Sequence, residues 1–150
     1  MDMEIQNTLL IIKPDAVLKK IIGRVISALE EGALKLVAAK FIRLDEDRAR
    51  LFYKEHDGKE FFKPLVDFMT SNPVMPMVWS GPDAIAAARK IIGSTNPKDA
   101  LPGTIRKNWA SDGRHNIIHG SDSPASASRE IAFFFSANEI LSWKNREYKI

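Results

Sequence analysis

Residues 8–17, TLLIIKPDAV, decide how the rest of the chain is read. Thr8–Ile12 is a short apolar run rich in Ile and Leu, and reads as a buried strand. Pro14 and Asp15 then open a helix. Its apolar positions Leu18, Ile22, Val25 and Leu29 step by three or four, and Gly32 stops it. Gly23 sits inside that helix at some cost. Close packing against another backbone is the expected reason.

The pattern repeats downstream. Leu34–Leu44 reads as a second strand. Asp45 is a good helix cap, and Asp45–Glu55 reads as a helix with acidic residues in its first turn. After the turn signal Asp57-Gly58, Phe61–Met69 reads as another helix. Val74–Trp79 is a third strand, and Pro76 within it suggests an edge or a bulge. Asp83–Ile92 is helical and ends at Gly93. Ser94 to His115 has no clear period and reads as a long loop, which in a compact domain usually carries function. Asn116–His119 is a short fourth strand. Ser123-Pro124 starts a helix that runs to about Phe135. Trp143 and Tyr148 in the tail pack on the body or on a neighbouring subunit. Stripped of insertions the order is βαββαβ. That predicts an α/β (α+β) chain, a ferredoxin-like sandwich with a four-stranded antiparallel sheet and helices on one face.

Composition bounds the function. The chain has 150 residues, 45% apolar and 27% charged, which suits one soluble globular domain. No apolar run approaches the ~20 residues of a membrane span. The polar start, MDMEIQN, is no secretory signal, and a cytoplasmic location is the default. The absence of cysteine excludes disulfides, thiolate chemistry and cysteine-based zinc sites. A net charge of +3 permits an anionic partner without demanding one. No run of Lys and Arg with interleaved aromatics favours nucleic acid, which is at most a side activity.

The chemistry gathers at residues 116–123, NIIHGSDS. His115 and His119 stand at the spacing that pairs metal ligands on a helix. The flanking glycines favour a strand instead, where residues four apart are roughly 13 Å apart. No direct metal ligand set is therefore expected. His119 reads either as a core histidine or as a nucleophile. Gly120 leaves room for a reactant to approach its ring. A helix starting at Ser123 could turn its N–H groups towards an anion. Glu130, about two turns into that helix, could reach back to one ring nitrogen and fix the tautomer. Lys13, Arg89, Thr95 and Arg106 are each ordinary surface groups when taken singly; arginine in particular pairs well with phosphate. No glycine-rich phosphate cradle of the GxxxxGK[ST] or GxGxxG type is present.

Five blocks, TLLIIKPDAV, FYKEHDGKEFF, ARKIIGSTNP, LPGTIR and NIIHGSDS, stand in an order and spacing that resemble nucleoside diphosphate kinases over nearly the whole chain. The resemblance implies a single domain over 1–150 and transfer of the γ-phosphate between nucleotides by a ping-pong mechanism, with broad base tolerance. It implies His119 as the nucleophile phosphorylated on Nδ1, Glu130 on the other nitrogen, Ser121 on that carboxylate, and Tyr53 beside the ring. Lys13 and Asn116 would bond the ribose, with Lys13 also meeting the transferred phosphate. Arg89, Thr95 and Arg106 would hold phosphates, His56 would contact phosphate, and Phe61 would stack on the base. Mg²⁺ would ride on the phosphates, with Asp122 near it through water. ATP and other NTPs and NDPs would be substrates. A homo-oligomer is implied, a hexamer before a tetramer. Ala16 departs from the glycine many members carry, and packing is expected to absorb it.

Overall fold

The computed structural model describes residues 4–144. The chain runs β1 (Ile5–Ile12), α1 (Pro14–Leu18), α2 (Ile22–Glu30), β2 (Lys35–Ala39), α3 (Glu46–Phe52), α4 (Phe62–Thr70), β3 (Met75–Pro82), α5 (Ala84–Ile92), α6 (Ile105–Trp109), β4 (Ile118–Gly120) and α7 (Pro124–Phe134). The four strands form one antiparallel sheet in the order β2-β3-β1-β4. This is the ferredoxin-like arrangement that the βαββαβ order predicts.

The helices cover both faces of the sheet, not one. Successive strand residues point to opposite sides. Leu10 and Ile12 of β1 pack in one core with Val25, Leu29, Ala88 and Ile92 from α2 and α5. Leu9 and Ile11 pack in the other with Phe52, Val66 and Phe134 from α3, α4 and α7. All four β1 residues have no exposed surface. A strand covered on both faces reads as a continuous apolar run, which is why TLLII does not alternate.

Several boundaries move. The helix expected from Pro14 to Gly32 is two helices. Lys20 takes φ 58°, a left-handed conformation that no α-helix carries, so the chain breaks between Leu18 and Ile22. Gly23 needs no close packing, because an added Cβ there meets nothing within 4 Å. Ala16 is fully buried in the first core. The second strand is shorter than expected, with a register shift between Leu36 and Ala38, and Ile42 rejoins only as an isolated bridge to Val74.

Pro76 lies in a central strand, not at an edge. Its carbonyl accepts from Lys40 N–H (3.0 Å), just past the end of β2. The N and O of a strand residue point the same way. The missing donor therefore faces the end of β2, and the ladder to β1 is intact. In the expected long loop, α6 forms behind Thr104, whose side chain accepts from Lys107 N–H. The tail returns to the body: Trp143 Nε1 donates to Leu36 O (2.8 Å). Tyr148 lies outside the described residues. Among the described residues no helix is long and apolar enough to cross a membrane.

Candidate active site

The site forms where β1 and β4 end side by side. β4 pairs His119 with Ile11 of β1, so the ring is carried on a short strand in the sheet. Ser123 caps α7 by accepting from Ser126 N–H (3.1 Å). That fixes the helix start and brings Glu130 back over the strand. His119 Nε2 donates to Glu130 Oε1 at 2.6 Å. Ser121 Oγ donates to the same oxygen at 3.0 Å, and its own Oγ accepts from Leu9 N–H (3.3 Å). Glu130 is 5% exposed. Phe52 meets the imidazole edge-on at 5.8 Å. With Nε2 engaged, Nδ1 has no hydrogen-bond partner among the described residues. The ring is held in one orientation, and with Nε2 as the donor the Nδ1 lone pair is left free.

His119 lines a cleft of about 530 Å³, a size suited to a small molecule. Lys13, Arg89 and Arg106 line it too, with Tyr53, His56 and Phe61. Thr95, Asn116 and Asp122 complete the set that the sequence singles out. Residues far apart in the chain are thus brought to one place.

The cations here are poorly compensated. Burial, reinforced by the Arg106 charge, lowers the Lys13 ammonium from 10.5 to about 8. Burial and then Arg89 lower Arg106 to about 10. An anion placed among them relieves both costs. Arg106 is held by three backbone carbonyls: Nε to Asn116 O (3.2 Å), Nη1 to Gly93 O (3.1 Å) and Nη2 to Ile118 O (2.7 Å). One N–H on each terminal nitrogen remains for a ligand. The Tyr53 hydroxyl is buried without a partner among the described residues. Burial, with Glu130 behind it, raises its pKa, so it keeps its proton.

Asn116 is nearly spent. Its Oδ1 accepts from Lys13 Nζ (2.7 Å), and its Nδ2 donates to Thr95 O (3.1 Å) and Gly113 O (3.0 Å). One Oδ1 lone pair is left for a ligand hydroxyl. Phe61 is 42% exposed, an apolar ring held at the cleft and near His56 (5.2 Å between centroids).

One expectation needs correcting. Gly120 does not clear space for a reactant. A Cβ there would press on Ile92 Cδ1 (3.1 Å) and Leu10 Cδ2 (3.3 Å), so the glycine serves the core. His115 and His119 share no site. His115 pairs with Asp112 and lies against Phe68, while His119 turns to Glu130.

Asp15 and Ile117 support the site, and sequence reasoning missed both. Ile117 takes φ 76°, a strained conformation for a β-branched residue, costing about 1–3 kcal/mol. Ile118 N–H closes a tight turn onto Asn116 O (2.8 Å). The buried Asp15 carboxylate accepts from Ile117 N–H (3.0 Å), and Lys13 N–H donates to Ile117 O (2.9 Å). Together with Arg106 these bonds fix the turn that separates Asn116 from His119. Nothing local signals it, since the partners lie 102 residues apart.

The nucleoside diphosphate kinase family model matches residues 6–140. The nucleoside diphosphate kinase of Bacillus licheniformis is 52% identical over 136 residues, covering 91% of this chain and 92% of that one. That of Actinobacillus pleuropneumoniae serotype 5b is 52% identical over 137 residues, covering 91% and 99%. Among solved structures, a halophilic nucleoside diphosphate kinase from Halobacterium salinarum in complex with CDP superposes with a TM-score of 0.91 at 44% identity, covering 95% of each chain. The Aquifex aeolicus enzyme does so with a TM-score of 0.88 at 41% identity, covering 92% of this chain and 100% of that one. The chain belongs to the nucleoside diphosphate kinase family, and its activity is that of a phosphotransferase, a nucleoside-diphosphate kinase.

Proposed function

We propose that the reaction runs in two displacements through a phosphohistidine at His119. The observation that carries this is the His119 ring, clamped at Nε2 by Glu130 with Nδ1 unpartnered among the described residues, on the wall of a cationic cleft. In the first half, Nδ1 attacks the γ-phosphorus of a nucleoside triphosphate. The N–P bond forms, the bond from phosphorus to the β–γ bridging oxygen breaks, and the diphosphate leaves with the electron pair. In the second half, a terminal oxygen of another diphosphate attacks the same phosphorus and the N–P bond breaks. One set of clamps serves both halves because their geometry is nearly the same.

Phosphoryl transfer asks mainly for positioning and charge stabilisation. Arg89, Thr95, Arg106 and Lys13 meet the phosphates, with His56 at the rim. Tyr53 offers its hydroxyl proton to a phosphoryl oxygen beside His119. Glu130, braced by Ser121, stabilises the positive charge that the ring acquires as the N–P bond forms. Lys13 and the remaining lone pair of Asn116 take the ribose hydroxyls. Mg²⁺, bound to the nucleotide, would neutralise phosphate charge, and the exposed Asp122 at the cleft would hold its water. The Asp122 carboxyl is lowered, chiefly by the Ser126 hydroxyl, so it is ionised there. Phe61 stacks on the π-face that every base has, which supports tolerance of ATP, GTP, CTP, UTP and deoxy forms. The CDP bound to the Halobacterium relative supports a diphosphate in this cleft. The family resemblance supports a homo-oligomer, a hexamer before a tetramer.

Labelled ATP alone should give an acid-labile, base-stable phosphoprotein, and added GDP should remove the label as GTP. His119→Gln should take no label. A wild-type protein that stays unlabelled, or whose label does not move to GDP, refutes the mechanism.

A further inference from the structure

His115 is the histidine that the chemistry leaves over, yet it sits in a built arrangement. Ser111 N–H donates to His115 O (2.9 Å), closing the segment into a turn. Asp112 Oδ1 accepts from Arg114 N–H and His115 N–H, each at 2.8 Å. His115 Nδ1 lies 3.1 and 3.0 Å from the two oxygens of the same carboxylate. The ring therefore cannot swing freely, although its side chain is 42% exposed.

The turn has two sides. Inwardly, Gly113 O accepts from Asn116 Nδ2 (3.0 Å) and Arg114 O from Lys13 Nζ (3.3 Å). Gly113 and Arg114 also line the cleft. Outwardly, the His115 ring packs on Phe68, with centroids 4.6 Å apart and planes inclined at 59°. Phe68 belongs to α4, the helix that follows directly from Phe61 and carries Leu65, another cleft residue. Among the described residues no hydrogen bond joins this turn to α4, so the ring pair is the specific link between two walls of the cleft.

We propose that His115 is a positioning residue, a clasp that ties the Asp112–Arg114 turn to α4 and so sets affinity for the nucleoside half of a nucleoside diphosphate. The inference rests on the nucleotide reading of the cleft. His115 touches neither the nucleotide nor the reacting atoms. It fixes the distance between the walls on which Phe61, Leu65, Gly113 and Asn116 stand.

The test is the affinity of the full chain for ADP and for inorganic pyrophosphate, by calorimetric titration. Pyrophosphate needs only the phosphate clamps. His115→Ala should weaken ADP about fivefold, the effect of one aromatic contact, and leave pyrophosphate and kcat at saturating nucleotide unchanged. His115→Phe, which keeps the ring contact and loses the carboxylate, should fall between. In a Phe68→Leu background the His115→Ala effect should vanish. Unchanged ADP affinity, or an equal loss for ADP and pyrophosphate, overturns the clasp. If His115→Ala melts lower than wild type, the same two-ligand comparison is made on His115→Gln, with the same outcomes deciding. Failure of the nucleotide reading is seen separately, in a wild-type protein that takes no label from ATP and binds no ADP.

Discussion

Two histidines four residues apart each meet a carboxylate, and the pairs differ in everything else. His119 donates Nε2 to Glu130, a carboxylate reached from a separate helix and 5% exposed. His115 turns Nδ1 to Asp112, three residues back in the same turn and largely open to solvent. In the first pair the strand and helix fix both partners, and the ring nitrogen left over lines a cleft with Lys13, Arg89 and Arg106. In the second, the carboxylate is occupied with backbone N–H groups, and the ring serves as a packing surface for Phe68. A histidine–carboxylate pair is thus not a chemical signature in itself. What sets His119 apart as the proposed nucleophile is where its other nitrogen points and which charges wait there.

The strongest way to break this comparison is at Glu130. In Glu130→Gln an amide oxygen can still accept from Nε2, so the ring stays in place. In the proposed mechanism, the negative charge that would stabilise the ring while the N–P bond forms is gone. We expect kcat to fall about a hundredfold, less than the loss of tautomer control costs in a catalytic triad. Single-turnover labelling of His119 from ATP measures it. A variant as fast as wild type would reduce Glu130 to a structural partner, on a par with Asp112.

The cations that set His119 apart give a second, smaller effect through pH. Burial holds the Lys13 pKa below its ordinary 10.5, at about 8. The ammonium is therefore charged below about pH 8 and neutral above it. In the proposed reading the Lys13 charge helps to capture the nucleotide, so kcat/KM for ATP should fall as pH rises through about 8, up to tenfold per unit. In Lys13→Arg the guanidinium keeps its proton, and this alkaline limb should disappear whatever the absolute rate. A limb that persists at the same pH in Lys13→Arg would assign it to another group.

Much of the fold is legible in the sequence because the elements that matter most are apolar runs with clear punctuation. The β1 run, the Asp45 cap, which accepts from Arg48 N–H at 2.7 Å, the stop at Gly93 and the start at Ser123-Pro124 are all local signals. Where the reading fails, the cause is not local. Lys20 and Ile117 adopt positive φ without being glycine, so nothing in their side chains announces the helix break or the late start of β4. Pro76 reads as an edge or a bulge residue because its tolerance depends on where a different strand ends. The site behaves likewise. The His119, Ser121 and Glu130 set lies within twelve residues and is visible as one motif. Asp15 reads only as a helix opener, because its partner is the amide of Ile117 across the sheet. Gly120 beside a reactive ring invites a functional reading, whereas the missing side chain makes way for Ile92 and Leu10.

The smallest effect belongs to Asp112 and tests the structural half of the comparison. N–H groups of His115 and Arg114 hold its carboxyl at about 2, below the ordinary 3.8. A depressed folded-state value means that the unfolded chain takes up the proton first. The contribution to stability is complete above about pH 4 and is lost as pH falls towards 2. The carboxylate is solvent-exposed, so screening keeps this contribution under about 1 kcal/mol. Asp112→Asn retains an oxygen for the two amides but cannot titrate. Other depressed carboxyls, such as Glu139 held by Lys40, remain in both proteins, and the difference between them isolates Asp112. Wild type should therefore lose slightly more stability than Asp112→Asn between pH 4 and 2, read as Tm against pH. Parallel Tm profiles across the acid range would mean that the turn holds by its backbone alone, and that the carboxylate beside His115 adds no charge-dependent support.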